Sequence, residues 1–269
     1  MNDDVRRHHE SNREAWNQGA AAYEKEVQSD IEFLRNGGIN ICPPERKFLH
    51  DLDRWCGRAI HLQCAGGRDT LSLWNLGVRE VIGIDISERM IACAQAKATA
   101  LGAPATFVRS DILDSPESLN GTADLVYTGR GALCWIMDLD AWAKTIYRLL
   151  KPGGRLYVFE GHPFSELWDM SASDFRLDKE YGDYFQPGLL VSSDWPSTYI
   201  GDEADGNATK YERQWQLGQV INAVIDYGLQ LKRIEEHPDP FWERFPNLDP
   251  DMERRIPQTF SLLAERSEK

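Results

Sequence analysis

From residue 58 onward, short apolar runs alternate with longer helix-forming segments. "RAIHLQC" (58–64), "EVIGID" (80–85), "ATFVRSD" (105–111), "ADLVYT" (123–128) and "RLYVFEG" (155–161) are brief and rich in β-branched or aromatic residues, and each predicts a strand. Residues 68–76, "SERMIACAQAKATAL" (87–101) and "DAWAKTIYRLL" (140–150) predict the helices between them, the second capped by Ser87 and the third closed by "KPGG". Strands alternating with helices of this length build a parallel sheet with helices on both faces, so the expected class is α/β.

The flanks read differently. Residues 9–27 are proline-free helix formers, "NGG" at 36–38 punctuates the chain, and "PPERKFLHDLDRW" (43–55) predicts a second helix with proline in its first turn. Residues 161–214 break the alternation with many aromatics and predict an insertion ending in a short hairpin around 202–215. The alternation resumes with a helix over 217–228, a strand over 229–237 and a closing strand over 259–266. The expected organisation is a single domain: a helical cap (1–57), a core (58–160), a lid-like insertion (161–214) and a C-terminal helix with strands (215–269).

Composition narrows the function classes. With 42% hydrophobic residues spread over 269 positions, the chain can bury a sizeable core. The formal charge of −13, from 43 acidic and 30 basic residues, repels phosphate backbones, so no nucleic-acid partner is expected. No apolar run reaches the roughly 18 residues of a membrane span, so no membrane partner is expected either. The five cysteines form no CxxC pair, which fits reduced thiols in a cytoplasm and predicts no metal site.

The candidate chemistry lies at the strand ends. "CAGGRDT" (64–70) is a glycine turn between strand and helix, but it does not match the dinucleotide pattern G-x-G-x-x-G, and the P-loop lysine is absent. Small residues there let the backbone approach a ligand. Asp85, at the tip of the second strand, suits two ribose hydroxyls, and Asp111 with the N–H of Ile112 suits an adenine edge. Together these features describe an adenosine site without phosphates.

That combination, followed by "LLKPGG", resembles the class I S-adenosylmethionine-dependent methyltransferases. "NREAWN", "HLQC", "GALCWIMDLDAWA", "FEGHP" and "PFWERFP" are similar to motifs of a small-molecule branch of that family. The first motif departs from the family in one respect: His61 stands where an acidic residue is usual. The resemblance implies a Rossmann-like fold with a mostly parallel seven-stranded sheet, and S-adenosyl-L-methionine as cofactor. By the same resemblance the cofactor is held by Gln63, Ala65, Gly66, Gly67, Asp85, Ile86, Met90, Asp111, Ile112, Thr128 and Gly129; Trp16 or Tyr23 is expected to close over it, because residues 1–40 precede the sheet and have no other obvious place to bury their aromatics.

A small-molecule acceptor is expected among Trp135, Tyr184, Trp195, Tyr199, Phe241 and Trp242, because aromatic faces suit apolar or cationic groups. The resemblance also implies that Tyr127 falls beside the transferring methyl. His162, just after the fifth strand, stands as either a general base or a turn histidine before Pro163. Two other readings stand beside methyl transfer: a non-catalytic cofactor-binding paralogue, and another adenosine-using transferase on the same fold.

Overall fold

The computed structural model describes residues 1–185, 188–196, 199–200 and 203–268. Strands β1 (Arg58–Leu62), β2 (Glu80–Asp85), β3 (Ala105–Arg109), β4 (Ala123–Gly129) and β5 (Leu150–Gly161) pair in parallel. β6 (Leu189–Ser192) and β7 (Lys210–Arg213) form a separate antiparallel pair, while β8 (Leu229–His237) and β9 (Thr259–Arg266) complete the main sheet. Its order is β3-β2-β1-β4-β5-β9-β8, with β9 antiparallel to both of its neighbours. The seven-stranded, mostly parallel α/β fold expected from the sequence is the one observed.

The two faces sort by strand alternation. On β4, Val126 joins the cluster packed around Trp142 and Ile146, while Leu125 and Tyr127 face Leu52 and Leu73 on the other side. The first cluster is covered by α6 (Leu139–Leu149) and α7 (Leu217–Asp226). The second lies under the residues flanking α2 (Pro43–Arg46), among them Ile41 and Leu49, and under α3 (Leu52–Trp55) and α4 (Arg68–Asn75). Trp142 is fully buried, and emptying such a site costs about 3–5 kcal/mol.

The N-terminal helix α1 runs from Asp3 to Arg35, well beyond the expected 9–27. Asn2 caps it by accepting from the Val5 N–H at 2.9 Å, and Asp3 and Asp4 suit the positive end of its dipole. It is fastened to α5 (Glu88–Leu101) by a buried ion pair, Lys97 Nζ to Asp30 Oδ2 at 2.6 Å, with Arg68 sharing the same carboxylate at 3.2 Å. Removing one partner of such a pair costs about 3–5 kcal/mol.

Two local expectations change. Residues 43–55 form two single turns, α2 and α3, with Asp51 left-handed at φ 51° between them. The Glu45 carboxylate turns inward to Tyr127 and Arg130, and that tertiary demand overrides the helical pattern. The hairpin near 202–215 is also replaced. Lys210–Arg213 is a strand, but its partner is Leu189–Ser192, with Leu189 opposite Arg213. Asp202, the first residue of the expected hairpin, lies outside the described residues. Among the described residues no helix is long and apolar enough to cross a membrane.

Candidate active site

The turn after β1 is strained where the sequence puts side chains in glycine-favouring backbone. Gln63 and Ala65 take φ of 57° and 43°, and Gly67 follows at 77°. Left-handed non-glycine residues cost on the order of 1–3 kcal/mol each and persist where the surroundings impose them. Here Asp85 imposes the turn: the Ala65 N–H donates to Oδ2 at 2.8 Å and the Ser87 N–H to Oδ1 at 2.9 Å. Burial pushes the Asp85 carboxyl up to about 6 in spite of those bonds. Each oxygen keeps lone-pair capacity toward the cavity that Asp85 lines, which fits a pair of ribose hydroxyls.

Gly67 serves packing. A Cβ at this position would lie 2.6 Å from Ala94 Cβ, so the turn can approach α5 only without one.

Asp111 is shared with α1. Its Oδ1 accepts from the Leu113 N–H at 2.9 Å, and its Oδ2 lies 2.6 Å from His9 Nδ1. The Met137 N–H donates to His9 Nε2 at 3.1 Å, which leaves Nδ1 as the proton-bearing nitrogen that donates to Asp111.

His61 takes no part in the cavity wall. It is buried against Tyr127, with Nδ1 2.8 Å from Thr70 Oγ1, and burial together with Arg130 holds its pKa down at about 3. A neutral, enclosed imidazole leaves the cavity without the usual acid of the first motif. Gln63 stands in the exposed part of that gap. Its Nε2 donates to the Ala132 carbonyl at 2.8 Å, which fixes the amide orientation, and its buried Oε1 has no protein partner among the described residues. A buried acceptor left open costs about 1–3 kcal/mol, so this one waits for a donor.

Two cavities meet here. The first, about 90 Å³, is lined by Gln63, Ala65, Asp85, Ile86, Asp111, Ile112 and Gly129, with His9, Asn12 and Trp16 from α1. The second, about 430 Å³, is walled by the insertion and by the loop after β8, including Trp168, Trp195, Phe241 and Trp242. Trp16, Arg130, Gly131, Trp135 and Tyr199 line both.

The motif "NREAWN" is the strap that holds this junction. Asn12 pairs with Tyr211 of β7 in both directions, donating to its carbonyl and accepting from its N–H, each at 2.7 Å. Arg13 bridges to Glu88 at 2.5 Å, and Asn17 Oδ1 accepts from the Ser87 hydroxyl at 2.7 Å. Trp16 packs edge-on against Trp135 and Trp195, at centroid distances of 5.3 and 4.8 Å.

Over 190 residues the chain is 32% identical to the putative methyltransferase YqeM of Bacillus subtilis (strain 168), covering 66% of this chain and 75% of that protein. Residues 59–154 match the family described as Methyltransferase domain. The chain belongs to the class I S-adenosylmethionine-dependent methyltransferases. A putative S-adenosylmethionine-dependent methyltransferase from Listeria monocytogenes shares the fold, with a TM-score of 0.61 at 22% identity over 84% of this chain and 97% of that one. Phosphoethanolamine N-methyltransferase 3 of Arabidopsis thaliana is 30% identical over 128 residues, 47% of this chain but only 25% of that protein.

Several residues nominated from the sequence lie outside both cavities of this methyltransferase. Tyr127 points to the opposite face of β4, where its hydroxyl donates to Glu45 at 2.6 Å, so it does not reach the methyl position. His162 is an organiser of its loop. Its Nδ1 accepts from the Phe164 N–H at 3.1 Å, and its Nε2 lies 2.9 Å from Glu236. Tyr184 supports α7, its hydroxyl accepting from the Leu217 N–H at 3.3 Å. Met90 and Thr128 are fully buried below the cavity floor. Gly66 backs onto Tyr23 and Lys97, and Tyr23 closes from behind through a 2.7 Å hydroxyl contact with Tyr199.

Other residues emerge only in three dimensions. His9 reads as part of a frayed terminus unless α1 is known to begin at Asp3, and the signal available was Asn2 followed by two acidic residues. Glu160, at the end of β5, accepts from the N–H groups of Ala132, Gly131, Leu133 and Gly161 at 2.6, 2.8, 3.0 and 3.1 Å. Burial pushes its carboxyl up to about 7 even so, and it shapes the loop between the two cavities. The charged groups Glu166, Lys210, Glu212 and Arg244 line the larger cavity and sit in stretches that look like ordinary surface.

Proposed function

We propose that this chain moves a methyl group from S-adenosylmethionine to a small molecule seated in the larger cavity. The observation that carries the reading is the shared wall: the strand-end cavity and an aromatic chamber have Trp16, Trp135 and Tyr199 in common. When bound, the cofactor supplies an electrophilic methyl on a sulfonium. Asp85 is placed to take the ribose hydroxyls, Asp111 and Ile112 the adenine edge, and Gln63 Oε1 the methionyl ammonium in place of the missing acid. The enclosing aromatics exclude water and align the acceptor, and alignment of this kind is worth about 7–11 kcal/mol of barrier.

Seating the cofactor requires Trp16 and Tyr199 to move outward, since about 90 Å³ is well below the roughly 300 Å³ of an ordinary ligand pocket. The net charge of −13 works against a phosphate-backbone acceptor, and phosphoethanolamine, named for the Arabidopsis relative, supports a small one.

Two variants test the division of labour. Asp85→Ala is expected to weaken S-adenosylhomocysteine binding at least about tenfold in calorimetry. Trp242→Ala is expected to raise the acceptor's KM while that affinity stays unchanged. If the wild-type protein binds S-adenosylhomocysteine yet labels no component of a small-molecule extract from methyl-labelled donor, it is a binding protein and not an enzyme of this kind.

A further inference from the structure

The larger cavity contains both signs of charge, and nearly all of it is already engaged. Arg130 pairs with Glu45 at 2.7 Å and Asp69 at 3.1 Å. Arg244 pairs with Glu166 at 2.6 Å. Lys210 donates to the Asp194 carbonyl and lies over the Trp195 ring, 4.1 Å from its centroid. Arg213 lies 5.1 Å over Trp215. Glu160 is held by four backbone N–H groups. Asp178 accepts from the Glu180 and Tyr181 N–H groups and Asp194 is exposed; Glu212 is the exception that remains. It lines the cavity from β7, half-buried, and among the described residues no cation comes within 4 Å of its carboxylate.

Its neighbours give that carboxylate a direction. Cys134 lies beside it, in the turn after β4 whose Ala132 and Trp135 line the cofactor cavity, so Glu212 borders the route to the methyl position. Tyr181 feels its charge from the insertion side, and Trp168 and Trp242 supply aromatic faces in the same chamber. Burial pushes the Glu212 carboxyl above its ordinary range, with Lys210 and Arg244 only partly opposing the shift. A half-buried carboxylate in an aromatic-walled cavity, with no cation within 4 Å among the described residues, is a poor structural choice by itself, because a partly desolvated charge without a paired cation is costly. A ligand that brings the cation removes the cost.

We infer that the acceptor is an amine, and that Glu212 holds its ammonium group and takes its proton. The inference rests on the methyl-transfer reading above. In the step, Glu212 accepts one proton from R–NH3⁺, leaving a nitrogen lone pair. That pair forms the N–C bond to the methyl carbon as the S–C bond breaks, its electrons staying on sulfur. The products are R–NH2–CH3⁺ and S-adenosylhomocysteine, and the proton on Glu212 leaves to water. The aromatic walls favour the ammonium on arrival by cation–π attraction.

The test uses the full-length protein, methyl-labelled S-adenosylmethionine, and a panel of alkyl- and arylamines, each matched with its alcohol and thiol counterpart. The expected result is labelled amines, at least about tenfold over their counterparts. Glu212→Gln should raise the amine KM by about 10- to 100-fold, the scale of a lost bond between charged partners. Its S-adenosylhomocysteine affinity should stay within about twofold, which also shows that the variant is folded. Glu212→Asp should keep the amine preference. Preference for alcohols or thiols, no amine bound or methylated by the wild type, or a wild-type amine KM in Glu212→Gln would each overturn the inference. Failure of the wild type to bind S-adenosylhomocysteine would instead bring down the methyl-transfer reading on which it stands.

Discussion

The half of the site at the ends of β1, β2 and β3 is built from backbone, and the half beneath the insertion is built from side chains. In the first, Asp85 and the turn at 63–67 are fixed by N–H groups of Ala65 and Ser87, and one ligand shape follows. In the second, the chamber wall comes from α1, the turn after β4, the insertion, β7 and the loop after β8, and its chemistry depends on which side chains those segments bring. A backbone-built site is common to many proteins of one fold, whereas a chamber assembled from distant segments can change its ligand without changing the fold. The strap α1 joins the two: His9 touches Asp111 on the strand-end side and Asn12 holds β7 on the chamber side.

Cutting that strap should give the largest effect. Removing residues 1–28 deletes His9, Asn12, Trp16 and Tyr23 but keeps Asp30 on Lys97, so the sheet should stay folded by circular dichroism. Turnover is expected to fall by at least about a thousandfold, with S-adenosylhomocysteine affinity falling as well. A truncated protein with normal turnover would show that the two halves work without α1.

A narrower cut stays within the cofactor half. Gln63→Leu removes the open Oε1 at similar volume, and S-adenosylhomocysteine affinity should drop about tenfold or more. The affinity for 5′-methylthioadenosine, which has no methionyl ammonium, should hardly move. Equal losses for both ligands would mean that Gln63 supports the turn and not the ammonium.

The smallest effect is expected from His162→Gln. Its ring serves the Phe164 N–H and Glu236 outside both cavities, so kcat should change less than about threefold, with a modest loss of Tm. A hundredfold loss of kcat with an unchanged Tm would restore the histidine as a base.

The alternation of apolar runs and helix formers was enough for the parallel core, because strand and helix periods are local properties of the chain. Asp85 and Asp111 were legible for a similar reason: Asp85 is the last residue of β2 and Asp111 follows β3 by two residues, so chain order alone places both at the sheet's edge. Tyr127 was misplaced by the same logic, since a strand end gives position along the sheet but not the face a side chain takes; alternation sends this one to Glu45. The role of His61 could be read as a departure from the family, but not its enclosure by Thr70 and Tyr127. The sequence by itself determined the class of fold, the order of its strands' tips and the donor they suit. Only the tertiary structure decided that α1 reaches from Asp3 to clamp both halves, that β7 pairs with Leu189–Ser192, and that Glu212 lines the chamber with no cation within 4 Å among the described residues. Those facts depend on contacts between residues far apart in the chain, and no local pattern specifies which distant surfaces will meet.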